Sequence, residues 1–401
     1  TRTVAEVAGR PNVRTRNDVF DALYALALAE AKENSVEAIK DGAFNNGNAI
    51  NCPAGGCFET GRKWNYVWTR DTAYATALGL ASFDPTRARN SLEFKLSPRR
   101  DGTNLQIVQD TGTGGSWPVS TDRVSWAMGA GALLDWLDGA ERTAFRDRAF
   151  EALKNTLEHD RATVFDPIDG LYSGEQSFLD WREQTYPAWT REDPVQIGMS
   201  KALSTNLLHL NAMRLAAALA GEKGEDALRD RYQGWADALT TAVRAGFRLD
   251  DGLYSSFSTT FLDPAPVRRY DLLATAFAVL LGVAEGEEAK SLLASYPHAG
   301  KGPPTIWPQQ QETAIYHNRS FWPFVTAYWV EAARLARNDK VVDHGVWSLM
   351  RGAALSLSNM ENFELVTGRT RLEEGATSGP VVNSQRQLWS VAGYLSMVHS
   401  V

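Results

Sequence analysis

The sequence has almost no cysteine: two residues, Cys52 and Cys57, in a chain of 401. Two thiols cannot make a structural zinc site on their own, because such sites ordinarily take four ligands. The six histidines (159, 209, 298, 317, 344 and 399) are scattered and show no ligand spacing, so no metal and no cofactor is expected. No apolar stretch reaches the roughly 18 residues that a membrane-crossing helix needs. Basic runs are missing too. Forty-one Lys and Arg stand against 48 Asp and Glu, a net charge of −7, so nothing here tracks a phosphate backbone and nucleic acid is not an expected partner. No linker rich in Pro, Gly or Ser divides the chain, so residues 1–401 read as one domain. The chain opens on TRTVAEVAGR, with neither an initiator Met nor a signal-peptide pattern, as expected of a processed or trimmed product.

What is present is equally uneven. The cysteines lie in NCPAGGCFETG, and the short spacing with Pro and Gly suits a small disulfide-closed loop. Free thiols are the alternative. A disulfide implies a periplasmic or secreted protein. There are 13 Trp, and Trp64, Trp68, Trp117, Trp181, Trp189 and Trp307 lie outside periodic segments. Any one Trp is ordinarily core material. A set of them in loops suits the flat C–H faces of sugar rings, since indoles offer large apolar area at low entropic cost.

Apolar residues recur at three- and four-residue spacing in about twelve helical segments. They run over 18–33, 71–83, 85–96, 123–137, 140–160, 200–220, 224–246, 270–283, 286–296, 319–337, 339–358 and 385–399. Short links at 84–85, 138–139, 221–224, 285–287 and 338–339 alternate with long loops at 34–70, 97–122, 161–199, 247–269, 297–318 and 359–384. That alternation predicts an all-α ring of six helical hairpins, an (α/α)6 toroid with short turns on one face and long loops on the other. Loops of that length in a compact domain are usually functional. An internal echo, DGLYS at 169–173 and at 251–255, predicts small β-hairpins at equivalent rim positions of two successive repeats.

Four loops gather acids, arginines and indoles. In KWNYVWTRDTAYA (63–75), Arg70 and Asp71 fall where loop becomes helix, beside Trp64 and Trp68. Asp71 is either a helix cap or half of an Arg–carboxylate pair for sugar hydroxyls. In GTGGSWPVSTDRVSWAMGA (112–130), Gly114 and Gly115 permit close backbone approach, and Trp117, Asp122, Arg123 and Trp126 form a candidate wall. The stretch SFLDWREQTY (177–186) offers Asp180, Trp181, Arg182 and Glu183. The last long loop offers Glu361, Glu364, Glu373 and Glu374. A general acid opposite a general base is the minimum equipment for glycoside hydrolysis.

These motifs resemble those of the six-hairpin (α/α)6-barrel glycosidases. Named relatives are trehalases, the processing α-glucosidases and mannosylglycerate hydrolases of family 63, glucoamylases and glycogen-debranching glucosidases. YVWTRDTAYA (66–75) is similar to their W-x-R-D sugar-binding segment, and FLDWREQTY (178–186) to the trehalase-type acid segment. MENFELVTGR (360–369) resembles the segment holding the base, with Phe363 in place of the family's Tyr. YHNRSFWPFVTAYW (316–329) and QRQLWSVAGYL (385–395) resemble helices near the end of such barrels. The Gly-rich run usual around the acid is absent.

The resemblance implies a hydrolase of O-glycosyl bonds acting on α-linked glucoside-type oligosaccharides. It implies Asp180 as general acid and Glu361 as general base of an inverting reaction, with Glu373 and Glu374 as rival bases. Trp68, Arg70, Asp71, Trp117, Trp181, Arg182, His317 and Trp322 are the expected substrate-binding residues. The setting of Asp180 between Leu179 and Trp181 is expected to favour its protonated form, as an acid needs. Two other readings are a polysaccharide lyase on the same barrel, which the acidic chain and few histidines disfavour, and a non-catalytic carbohydrate-binding barrel.

Overall fold

The computed structural model describes residues 2–6, 11–98, 104–110, 116–259 and 266–400. Gly114 and Gly115 lie outside them. Twelve principal helices follow the expected segments: α1 (Asp18–Glu33), α2 (Thr69–Ala75), α3 (Pro85–Glu93), α4 (Trp126–Leu134), α5 (Gly139–Thr163) and α6 (Leu203–Glu222). Then come α7 (Asp226–Phe247), α8 (Leu272–Leu280), α9 (Gly286–Ser295), α10 (Pro323–Leu335), α11 (Asp339–Ser356) and α12 (Leu388–Ser396). Helix α2 runs on through a π turn (Thr76–Leu80) to Phe83.

Sequence decides which helices lie inside. Helix α8, LLATAFAVL, is buried on all sides from Leu272 to Val279. Helix α7 buries only Tyr232, Ala236, Leu239, Val243 and Phe247, one stripe at three- and four-residue spacing. Helices α2, α4, α6, α8, α10 and α12 each pack on the next, and α12 returns to α2, closing an inner ring. The stripe-bearing helices wrap it outside. Close approach needs small residues: a Cβ on Gly129 of α4 would stand 2.9 Å from the Ala73 carbonyl of α2, and one on Gly393 of α12 would stand 2.8 Å from the Ala327 Cβ of α10.

Five hairpins are sequential, each closed by a short turn. Asp84 and Pro85 show why one turn falls where it does: Pro85 starts α3, and the Asp84 carboxylate accepts the Arg87 N–H at 2.9 Å. The sixth hairpin has no such turn. It joins α1 to α12, so the two ends of the chain close the ring.

All long loops enter the inner helices at their N-terminal ends, on one face. Short two-stranded pairings knit them around the rim. The residues just before α6, α8 and α10 (201–202, 270–271 and 320–321) each pair with the following long loop, at 257–258, 306–307 and 363–364. The DGLYS echo is structural as well. Strands Phe165–Asp166 and Leu171–Tyr172 form a hairpin, and an Arg248–Tyr254 bridge closes its counterpart. Asp169 and Asp251 each accept the N–H two residues on at 2.9 Å, and Gly170 and Gly252 take positive φ of 73° and 82°.

The cysteines form a disulfide, Cys52–Cys57. It belongs to a small apolar cluster with Ile39, Tyr66 and Val67, against which Trp68 packs. No helix is long and apolar enough to cross a membrane among the described residues.

Candidate active site

At the centre of the loop face lies a cleft of about 400 Å³. Its lining comes from four loops and the starts of inner helices: Trp64, Trp68, Arg70, Asp71, Phe178, Asp180, Trp181, Tyr316, His317, Trp322, Glu361, Gln387 and Trp389. Residues far apart in sequence meet because every long loop returns to the same face.

Asp180 is aimed by its neighbours. Ser177 N–H donates to Ser204 Oγ at 2.9 Å, and Thr205 Oγ1 donates to the Glu175 carbonyl at 2.6 Å, pinning this stretch to the start of α6. Phe178 then takes φ 69°, a left-handed conformation unusual for a bulky residue. Its ring is edge-on to His317 and Trp322, both at 4.9 Å, and to Phe324 at 5.1 Å. That packing holds the turn. Leu179 is driven into the core, and Asp180 and Trp181 face the cleft. Gln184 Oε1 accepts the His317 and Asn318 N–H groups at 2.8 and 3.1 Å, tying this loop to the Tyr316 segment.

Glu361 is organised from outside the ring. Glu30 of α1 is fully buried and accepts Asn359 N–H and Nδ2, both at 2.8 Å. Glu361 itself receives Tyr316 Oη at 3.0 Å, Trp64 Nε1 at 3.2 Å and the Ser384 N–H at 2.9 Å. Burial raises its pKa to about 7, against the opposing pull of those donors and of Lys63. Of the other acids in that loop, Glu364 accepts the Val366 and Thr367 N–H groups and closes a turn. Glu373 and Glu374 face solvent, paired with Arg371 and Arg319.

Arg70 and Asp71 occupy the first turn of α2. The cap residue is Trp68, with no side-chain capping bond, so Asp71 is not the cap. Its carboxyl meets Gln387 Nε2 at 3.5 Å, and burial pushes its pKa up to about 8. Arg70 opposes that rise, whereas the Glu361 and Asp180 charges add to it. Arg70 is buried, and its Nη2 lies 3.5 Å from Asp180 Oδ2. Thr69 steadies the helix start, donating Oγ1 to Asp110 at 2.6 Å.

Two expected binding residues do not line the cleft. Trp117 lies over the Arg123 guanidinium at 4.2 Å, covering a buried Arg123–Asp160 ion pair. Arg182 turns to the buried Glu175, with Nε 2.7 Å from its carboxylate. The candidate wall of 122–126 is interior: Asp122, Arg123 and Trp126 are all buried. His317, by contrast, lines the cleft, and burial first and Arg70 second hold its pKa well below the ordinary value.

Sequence reasoning placed Trp64 only as a loop indole beside Arg70, and did not name Tyr316, Gln387 or Trp389 as site residues. The signals were adjacency and motif: Tyr316 precedes His317, and Gln387 and Trp389 lie in QRQLWS. Arg70 Nε, His317 Nδ1, Gln387 Oε1 and Trp389 Nε1 are buried with no hydrogen-bond partner among the described residues.

No family model matches the sequence. No curated protein matches it either. Solved structures match in shape. The GH63 mannosylglycerate hydrolase from Thermus thermophilus, in complex with glucose, aligns with TM-score 0.63 at 16% identity, over 94% of this chain and 100% of that one. The GH78 family rhamnosidase of Bacillus sp. GL1 aligns with TM-score 0.64 at 18% identity, over 98% of this chain but 36% of that one. Neutral trehalase from Saccharomyces cerevisiae aligns with TM-score 0.61 at 13% identity, over 94% and 80%. The chain has the (α/α)6 toroid fold of six-hairpin glycosidases.

Proposed function

We propose that this protein is an inverting glycoside hydrolase acting on α-linked, glucoside-type oligosaccharides. The observation that carries the reading is the placement of Asp180 and Glu361, from separate loops, in one tryptophan-walled cleft on the loop face of this fold.

In the proposed reaction Asp180 gives its proton to the glycosidic oxygen as the bond from the anomeric carbon to that oxygen breaks. Glu361 takes a proton from a water whose oxygen bonds to the anomeric carbon from the opposite face. The net change is addition of one water, after which Asp180 regains a proton from solvent and Glu361 loses one. A base with a pKa of about 7 is poised for that task near neutral pH. Tyr316 and Trp64 both donate to Oε1 of Glu361, which fixes the carboxylate while leaving Oε2 with only the Ser384 N–H among the described residues. Arg70, Asp71, Gln387, His317 and Trp389 hold sugar hydroxyls, and Trp68, Trp181 and Trp322 offer apolar faces. The Cys52–Cys57 disulfide supports a periplasmic or secreted location.

The test is a screen of α- and β-linked glycosides with the wild type, Asp180→Asn and Glu361→Gln. Each substitution should lower kcat by about 10³-fold or more, as loss of a general acid or base does. Unchanged hydrolysis in either variant would remove that residue from the mechanism.

A further inference from the structure

Behind Arg70, on the side away from the cleft, lies a second carboxylate. Asp122, at the entry to α4, has a side chain only 2% exposed, and its Oδ2 is 3.5 Å from Arg70 Nη1. Arg70 Nη2 is 3.5 Å from Asp180 Oδ2. The guanidinium therefore bridges two carboxylates through its two terminal nitrogens. Only Asp180 of the two lines the cleft. Asp122 is held rigidly: Ser177 Oγ donates to it at 2.8 Å and Gln109 Nε2 at 2.9 Å. Tyr74 Oη meets Ser177 Oγ at 2.9 Å and extends the network into α2.

We propose that Asp122 is a positioning residue that tunes the general acid through Arg70, its charge keeping the guanidinium from locking Asp180 in the ionised form. This rests on the reading of Asp180 as the acid. A carboxylate paired with an undivided buried arginine is a poor proton donor, because the cation favours the charged form. Sharing the cation between two anions weakens that preference for each. Other charged and titratable groups surround Asp180 and Arg70. They are Asp71 and Tyr74 from α2, Glu175 and Arg182 from the loop before α6, Tyr316 and His317 from the segment before α10, and Glu361 from the last loop. Asp122 meets Arg70 at the terminal nitrogen opposite the one facing Asp180, and it does not line the cleft.

The experiment follows proton loss from Asp180 in two ways. One is the alkaline limb of the kcat/KM profile, which reports the free enzyme's acid. The other needs no substrate: the tryptophan-fluorescence titration of the free protein, where the midpoint that Asp180→Asn abolishes is read through the adjacent Trp181. Asp122→Asn should move both to lower pH by about one unit, a size set by removing one charge in a partly desolvated site. Asp122→Glu should leave both in place. If Asp122→Asn does not fold, Ser177→Ala supplies the test with the opposite sign. It withdraws a donor, concentrates the Asp122 charge on Arg70, and should move the midpoint slightly upward.

A general loss of activity with both positions unmoved would overturn the proposal, as would a downward shift in Ser177→Ala or a free-protein titration with no midpoint owed to Asp180. A shifted fluorescence midpoint in a protein that hydrolyses no glycoside would instead sink the hydrolase reading and leave the coupling standing.

Discussion

The inner ring is open at both ends, and the two ends differ. At the loop face the N-terminal ends of the inner helices meet the cleft, with Arg70, Asp71, Asp180 and Glu361 around it. At the turn face the C-terminal ends surround a larger concavity of about 1290 Å³, bordered by Met128, Gly131, Trp136, Leu215 and Leu281. The same helices make both hollows. The chemistry differs because long loops can carry charged groups into a desolvated centre and satisfy their hydrogen bonds, whereas two- to four-residue turns cannot. The fold therefore supplies a two-ended frame, and the function is proposed for the end where the loops converge.

Substitutions at matched positions on the two faces sharpen that contrast. Trp181→Ala removes an indole beside Asp180 and should lower kcat/KM by about 10- to 100-fold. Trp136→Ala, at a 56% exposed position on the turn face, should leave kcat/KM within about twofold. Equal losses at both ends would break the assignment.

A smaller effect is expected at the base. Tyr316→Phe removes a donor that stabilises ionised Glu361, so the pKa of the carboxyl should rise. The acid limb of kcat/KM, expected near pH 7 in the wild type, should move upward, with about a tenfold loss at neutral pH.

Stability should run the other way. Burial raises the Glu361 pKa from an ordinary 4.5 to about 7, so its contribution is fully present below about 4.5 and is lost as pH rises through 7. Glu361→Gln should therefore raise Tm at pH 8, by about 2 °C, and change it little at pH 4. A lower Tm at pH 8 would contradict a cost for holding the buried carboxylate ionised. The smallest effect belongs to Glu374→Gln. Glu374 pairs with Arg319 in solvent, and kinetics should stay within about twofold.

Much of this was legible in the sequence. The alternation of short and long links gave the toroid because hydrophobic periodicity and turn residues are local signals. The sixth hairpin was not visible as a turn, since α1 and α12 meet across space rather than through a short link. In the site, charge and aromatic content drew attention to the right loops but could not orient every side chain. Trp117 looks like Trp181 in sequence, yet it covers Arg123 and the interior ion pair. Arg182 is two residues from Asp180, yet a buried Glu175 captures it. Asp122 shares its loop with a Trp and an Arg, but the partners that define it, Ser177, Gln109 and Arg70, come from other segments. Orientation depended on contacts between loops, which no single stretch records.

The most direct test of the central proposal is the stereochemistry of the first product. An α-glycoside cleaved by the wild-type protein should release the β-anomer, seen by proton NMR before mutarotation. Release of the α-anomer would contradict an acid and base acting across a bound water from Asp180 and Glu361.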